Sequence, residues 1–137
     1  MSMKRVLIVD DEPHVIRVMR LALERSGYEV DEAADGEIAL QRIVEAAPDV
    51  MITDIDMPRM NGEQLCKNIH QSMPDRTFRI YVLTARAELE HREWSSRLPN
   101  LEFMEKPVSI RKLVARLDAN FSASLENREQ KRCLPAQ

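Results

Sequence analysis

Five residues able to do chemistry stand just beyond four different apolar runs. Asp10 and Asp11 follow Val6-Leu7-Ile8-Val9, and Asp54 follows Val50-Met51-Ile52 and Thr53. Thr84 follows Ile80-Tyr81-Val82-Leu83, and Lys106, with Pro107 after it, comes shortly after Leu101-Glu102-Phe103-Met104. Taken singly, each has an ordinary account. An aspartate after a strand is usually a turn or helix-cap residue, and a lysine before proline is usually solvated. Brought to one place they are a different matter. Clustered carboxylates repel one another and call for a cation or a proton. An all-oxygen set with no His or Cys paired to it suits a hard ion, and few protein ligands with open positions suit Mg²⁺ better than Zn²⁺. Mg²⁺ beside a lysine is the equipment of phosphoryl transfer, in which catalysis is mostly positioning and charge neutralisation. The carboxylate nearest both could serve as nucleophile and become an acyl phosphate, with the Thr84 hydroxyl bonded to its oxygens.

The elements that must position these residues are legible in the same sequence. The four continuous apolar runs suit central strands covered on both faces. Tyr28-Glu29-Val30-Asp31-Glu32-Ala33 alternates, as a strand near a sheet edge does. Between them lie stretches with helical spacing: Val15, Met19, Ala22 and Leu23; Leu40, Ile43, Val44 and Ala47; Leu65, Ile69 and Met73. Pro13 suits a first helical position, Gly27 a helix terminator, and Asp35-Gly36 a second helix start. A last helix runs from about Ser109, with Ile110, Leu113, Val114, Leu117, Phe121 and Leu125 on one face. Strand and helix alternate throughout, which predicts an open parallel sheet with helices on both faces. Such sheets bind ligands at the carboxyl ends of their strands. The spacing between Thr84 and Phe103 makes no clean stripe, so a short helix ended by Pro99 is expected there. Asn127 to Gln137 is polar and reads as a frayed tail.

Composition narrows the function classes. The chain has 137 residues, 44% hydrophobic and 31% charged, the range of a one-domain globular protein. Its 20 basic and 23 acidic residues give a formal charge of −3, with no basic surplus for nucleic acid. No apolar run approaches the ~18 residues of a membrane span, and Val6 to Val9 is too short for a signal-peptide core. Cys66 and Cys133 are widely separated, which suits a reduced, cytoplasmic chain. His70 and His91 have no ligand-like spacing, and no zinc site is assigned.

In order and at suitable separations, Val6 to Pro13, Asp49 to Gly62, Leu83-Thr84-Ala85 and Phe103 to Pro107 form a specific set. With it the chain resembles the receiver domain of bacterial two-component response regulators, from about Lys4 to Leu125, leaving 126–137 as a tail. That resemblance implies a flavodoxin-like, doubly wound, five-stranded parallel sheet in order 2-1-3-4-5 with five helices. It implies Asp54 as the phosphoacceptor, Asp11 and Asp54 as direct Mg²⁺ ligands, the backbone carbonyl of Asp56 as a third, and Asp10 acting through water. Lys106 pairs with Asp54 and then with the phosphoryl group. Thr84 is the switch hydroxyl and Phe103 the switch aromatic, which reports by burial because it lacks the hydroxyl of tyrosine. Self-phosphorylation and self-dephosphorylation at Asp54 are the only catalysis implied.

The partners implied are a histidine kinase or histidine phosphotransfer protein and a downstream protein target. The protein is expected as a monomer or phosphorylation-dependent dimer, without direct contact to nucleic acid or membrane. The architecture looks like the chemotaxis type with one domain, and the receiver of a larger regulator, such as a transcription factor, is the alternative. A haloacid dehalogenase-type phosphohydrolase would share Asp54-Ile55-Asp56, but it needs an acidic metal pair after the lysine, where Asp118 is the sole aspartate. The chain departs from many receivers at Leu98-Pro99-Asn100-Leu101, at Glu93 and at Ser96, which bears on the helix before the fifth strand. Trp94 there is either a partner anchor or a ring covering one end of the sheet. Asp56 and Arg86 flank the site by spacing and are candidates for tuning access of the hydrolytic water.

Overall fold

The computed structural model describes residues 3–85 and 93–133, with side chains through residue 122. Strands β1 (Arg5–Val9), β2 (Glu29–Ala33), β3 (Val50–Asp54), β4 (Arg79–Thr84) and β5 (Leu101–Glu105) form one sheet in the order β2-β1-β3-β4-β5. Every neighbouring pair is parallel. The helices described are α1 (Pro13–Arg25), α2 (Gly36–Glu45), α3 (Gly62–Ser72) and α4 (Ile110–Cys133). A helical turn at 93–95 belongs to the stretch where a short helix was expected, and residues 86–92, including Arg86 and His91, lie outside the described residues.

Side-chain alternation along the strands builds two cores, because successive residues of a strand face opposite ways. Val6, Ile8, Val50, Ile52, Tyr81 and Leu83 meet Ile16, Met19 and Leu23 of α1 and Leu113 and Leu117 of α4. Leu7, Val9, Met51, Ile80 and Val82 meet α2, α3 and Leu98 on the other face. The alternating segment forms β2 at one edge, with Val30 and Ala33 buried and Glu29 exposed. At the amino end of the same edge, Tyr28 Oη donates to Asp118 Oδ1 at 2.5 Å, and Lys4 Nζ stands 5.5 Å from the Phe121 ring centroid, fastening α4 to the starts of β2 and β1.

The punctuation acts as expected. Pro13 opens α1, Gly27 follows it at φ +95°, and Asp35 caps α2 by accepting from the Ile38 N–H at 2.9 Å. Two expectations need correcting. In α2 the buried face is Ala39 and Ile43, while Val44 is 80% exposed and the helix ends at Glu45, before Ala47. A helical stripe advances by three or four residues, so Val44, one past Ile43, rotates off it. At the C-terminus α4 continues to Cys133 rather than fraying after Leu125. Glu126, Arg128, Glu129, Gln130 and Lys131 are good helix formers, which favours continuation of the helix there.

Cys66 lies in the core on α3, and burial pushes its thiol up to about 12. The ordinary value of 9.0 applies once the chain unfolds. In a Cys133→Ser background at pH 8, alkylation of native protein followed by intact mass is expected to be about a thousandfold slower than in denaturant, as the thiolate fractions dictate. The same shift makes the thiol's contribution to stability complete below pH 9 and progressively lost from there toward about pH 12, readable by urea titration.

Candidate functional site

All five candidate residues gather at the carboxyl edge of the sheet. Asp10 directly follows β1, and its N–H donates to the Ala33 carbonyl at 3.1 Å, carrying the β1–β2 ladder one residue further. The Ile55 N–H likewise reaches the Leu83 carbonyl at 3.1 Å, and the Lys106 N–H reaches the Thr84 carbonyl at 2.8 Å. These bonds set the depth at which each side chain is delivered. Asp10, Asp54 and Thr84 are buried, whereas Asp11 and Asp56 are exposed.

Asp10, Asp11 and Asp54 each offer a carboxylate oxygen within 4.8 Å of the others. Facing them is Lys106, whose Nζ lies 2.6 Å from Asp54 Oδ1, an atom shut off from water. Burial alone would pull the Lys106 ammonium down. Asp54, Asp10 and Asp56 together outweigh that and hold it above its ordinary value. Asp10 is pushed up, first by burial and then by Asp54 and Asp11, against the Glu12 N–H that its Oδ1 accepts at 2.9 Å. Three carboxylates with one ammonium leave uncompensated negative charge in a half-buried place. A hard divalent cation fits this donor set.

The loop between β3 and α3 carries Asp56 and is held from both ends. The Gly62 N–H donates to the Ile55 carbonyl at 2.9 Å, and Asn61 caps α3 reciprocally with Gln64. A Cβ on Gly62 would lie 2.6 Å from the Asp54 carbonyl oxygen and 2.8 Å from the Ile55 Cα, backbone atoms that cannot step aside. Arg59, at φ +66°, pairs with Asp35 at 3.7 Å and ties the loop to the start of α2. Reasoning from sequence missed the role of Arg59, and nothing in its neighbours announces a left-handed residue there.

Thr84 and Phe103 share a face of the sheet, since Phe103 pairs with Val82 and Thr84 with Glu105. The Phe103 ring is partly buried, and Trp94 meets it edge-on at 5.6 Å between centroids. Trp94 is thus a ring covering that end of the sheet. His14 is exposed, with Nε2 3.5 Å from Glu12.

The family model for the response regulator receiver domain matches residues 6–118. The chain belongs to this family. Receiver domains of this family serve phosphorylation-dependent two-component signalling as switches. Among curated relatives, the receiver is 36% identical over 116 residues to the alkaline phosphatase synthesis transcriptional regulatory protein PhoP of Bacillus subtilis, covering 85% of this chain and 48% of that protein. It is 34% identical over 115 residues to the response regulator MprA of Mycolicibacterium vanbaalenii, covering 84% and 49%. The chain therefore spans about half the length of the curated relatives it matches. Among solved structures, chemotaxis protein CheY4 of Vibrio cholerae is 30% identical with a TM-score of 0.79, covering 86% of this chain and 98% of that one. TrrA of Thermotoga maritima, solved in complex with Mg²⁺-BeF, is 31% identical with a TM-score of 0.72, covering 85% and 98%. The doubly wound, flavodoxin-like architecture is shared with these receivers. No described helix is long and apolar enough to cross a membrane.

Two outcomes follow from the geometry. Mg²⁺ at about a hundred times its dissociation constant should stabilise the protein by about 2.7 kcal/mol, and Asp11→Asn should lose most of that gain in thermal unfolding. Gly62→Ala should cost roughly 1–3 kcal/mol in urea unfolding, because the added methyl must displace the Asp54–Ile55 backbone.

Proposed function

We propose that Asp54 accepts the phosphoryl group, from the phosphohistidine of a histidine kinase or phosphotransfer protein or from a small phosphodonor. The observation carrying this reading is the buried Asp54 oxygen held 2.6 Å from the Lys106 ammonium within the carboxylate cluster. Asp11 and Asp54 would hold Mg²⁺ directly, with the Asp56 backbone carbonyl as a third ligand and Asp10 through water. When bound, the ion supplies neutralisation of the charge on donor and carboxylates.

The chain's own residues do the rest. An Asp54 oxygen forms a bond to phosphorus as the bond to the donor's nitrogen or oxygen breaks, and the electron pair leaves with the donor. Lys106 transfers its pairing from the carboxylate to the phosphoryl oxygens. The dianionic group recruits the Thr84 hydroxyl, and the side of the sheet that Thr84 shares with Phe103 rearranges, with Phe103 turning inward. The altered surface meets a downstream protein. Water attack on the acyl phosphate resets the switch, with Asp56 beside its path.

The half-length match to transcriptional regulators supports a second reading, in which this receiver governs a further module of a longer regulator. The chemistry at Asp54 is the same in both.

Incubation with acetyl phosphate and Mg²⁺ should add one phosphoryl group to the wild type by intact mass. It should add none to Asp54→Asn or in the presence of EDTA. Lys106→Ala should still take up the label but lose the coupling to the Thr84–Phe103 face, seen as an unchanged Trp94 emission on phosphorylation. An adduct on Asp54→Asn would overturn the assignment.

A further inference from the structure

Two neighbouring residues that the phosphoryl chemistry does not use clasp the β3–α3 loop to the turn between β2 and α2. Arg59 sits at φ +66°, and across it the Met60 N–H donates to the Pro58 carbonyl at 2.7 Å, the pattern of a γ-turn of the rare positive-φ kind. A backbone outlier of this sort persists only where its surroundings hold it. Two contacts do so here. The Arg59 guanidinium lies 3.7 Å from Asp35 Oδ2, on a carboxylate only 6% exposed whose Oδ1 caps α2. Met60 packs on Gly36, where a Cβ would stand 2.8 Å from the Met60 Cβ and Cγ. The turn that receives the clasp also borders the cation site, because Ala33, Ala34 and Ile38 line a recess of about 510 Å³ together with Asp10 and Asp11. Asp56 stands three residues before Arg59, with Pro58 and its fixed φ between them. The Gly62 N–H on the Ile55 carbonyl closes the base of the loop, so the clasp is the second anchor of the Asp56 backbone.

We propose that Arg59, through its pairing with Asp35, is a positioning residue for the divalent cation, holding the Asp56 carbonyl where that oxygen completes the Asp11–Asp54 donor set. The proposal rests on the reading of that carbonyl as a ligand. Mg²⁺ demands near-octahedral geometry at about 2.0–2.1 Å and tolerates little displacement of a ligand. A loop held at both ends delivers the carbonyl already ordered, whereas a loop held only at its base must be ordered by the ion, at the cost of affinity. Charge alone predicts the opposite outcome. A guanidinium near the site repels a cation, so by Coulomb's law neutralising Arg59 would tighten Mg²⁺ binding, whereas loss of a positioning residue weakens it.

Calorimetric titration of the full chain with Mg²⁺ separates the two, with urea unfolding in EDTA confirming that each variant is folded. Arg59→Asn removes the cation yet keeps a residue that tolerates positive φ, and it should raise the Mg²⁺ dissociation constant roughly fivefold, the upper end for one partly exposed ion pair. Arg59→Lys, which keeps the pairing charge, should stay within about twofold of wild type. Asparagine caps a helix as well as aspartate, so Asp35→Asn leaves α2 capped, and in that background Arg59→Asn should bring no further weakening. Gly36→Ala changes no charge but pushes on Met60, and it too should weaken Mg²⁺ binding. Unchanged or tighter Mg²⁺ binding by folded Arg59→Asn, or an equal weakening in the Asp35→Asn background, overturns this proposal while leaving the Asp11–Asp54 site standing. No Mg²⁺ binding by the wild type overturns both.

Discussion

Three carboxylates and one ammonium share the carboxyl edge of this sheet, and Asp54 is the buried member to which the ammonium binds. Lys106 reaches it from beyond β5, across β4, so the pair spans three strands. Its 2.6 Å contact depends on the parallel register and on the bonds that prolong it past the strand ends. The arrangement is electrostatically incomplete. Negative charge exceeds positive in a place only partly open to water, and that imbalance makes the site receptive to a cation. In the proposed reaction, the Lys106 ammonium would follow the charge onto the phosphoryl group.

The surrounding fold holds this unfavourable cluster together by burial elsewhere. Two apolar layers, one under α1 and α4 and one under α2, α3 and Leu98, keep the strands from shifting. A slip of one residue in any strand would turn its apolar set to the wrong face and withdraw its site residue at the same time. Gly62 extends the constraint to the loop, because only a residue without a Cβ lets α3 start against the Asp54–Ile55 backbone. Stability and chemistry are therefore coupled through the same backbone.

The Phe103–Trp94 contact shows how a local change can be transmitted. Both rings lie on the face that also carries Thr84, and Trp94 belongs to the turn that precedes β5. In the proposed switch, a movement of Thr84 toward the acid cluster would change the packing next to Phe103, and Phe103 could not turn without Trp94 responding. Packed rings have discrete arrangements rather than a continuum, which suits a two-state device.

Strands, their order along the chain and the residues at their ends were legible in the sequence, because continuous apolar runs closed by Asp, Thr or Lys leave little choice of environment. The caps were legible for the same reason, since Pro13, Gly27 and Asp35 each act within one turn of backbone. The exposed position of Val44 was less evident, because neighbouring apolar residues on a helix differ by a rotation that only packing against the sheet resolves. Tertiary structure decided the 2.6 Å pairing of Lys106 with Asp54, the left-handed turn at Arg59 and the placement of Trp94 on Phe103. Each joins residues far apart in the chain or depends on the space left between packed elements. Sequence specifies which groups are available and in what local order. Distance, burial and the charge each group feels arise only when separate strands and helices are held against one another.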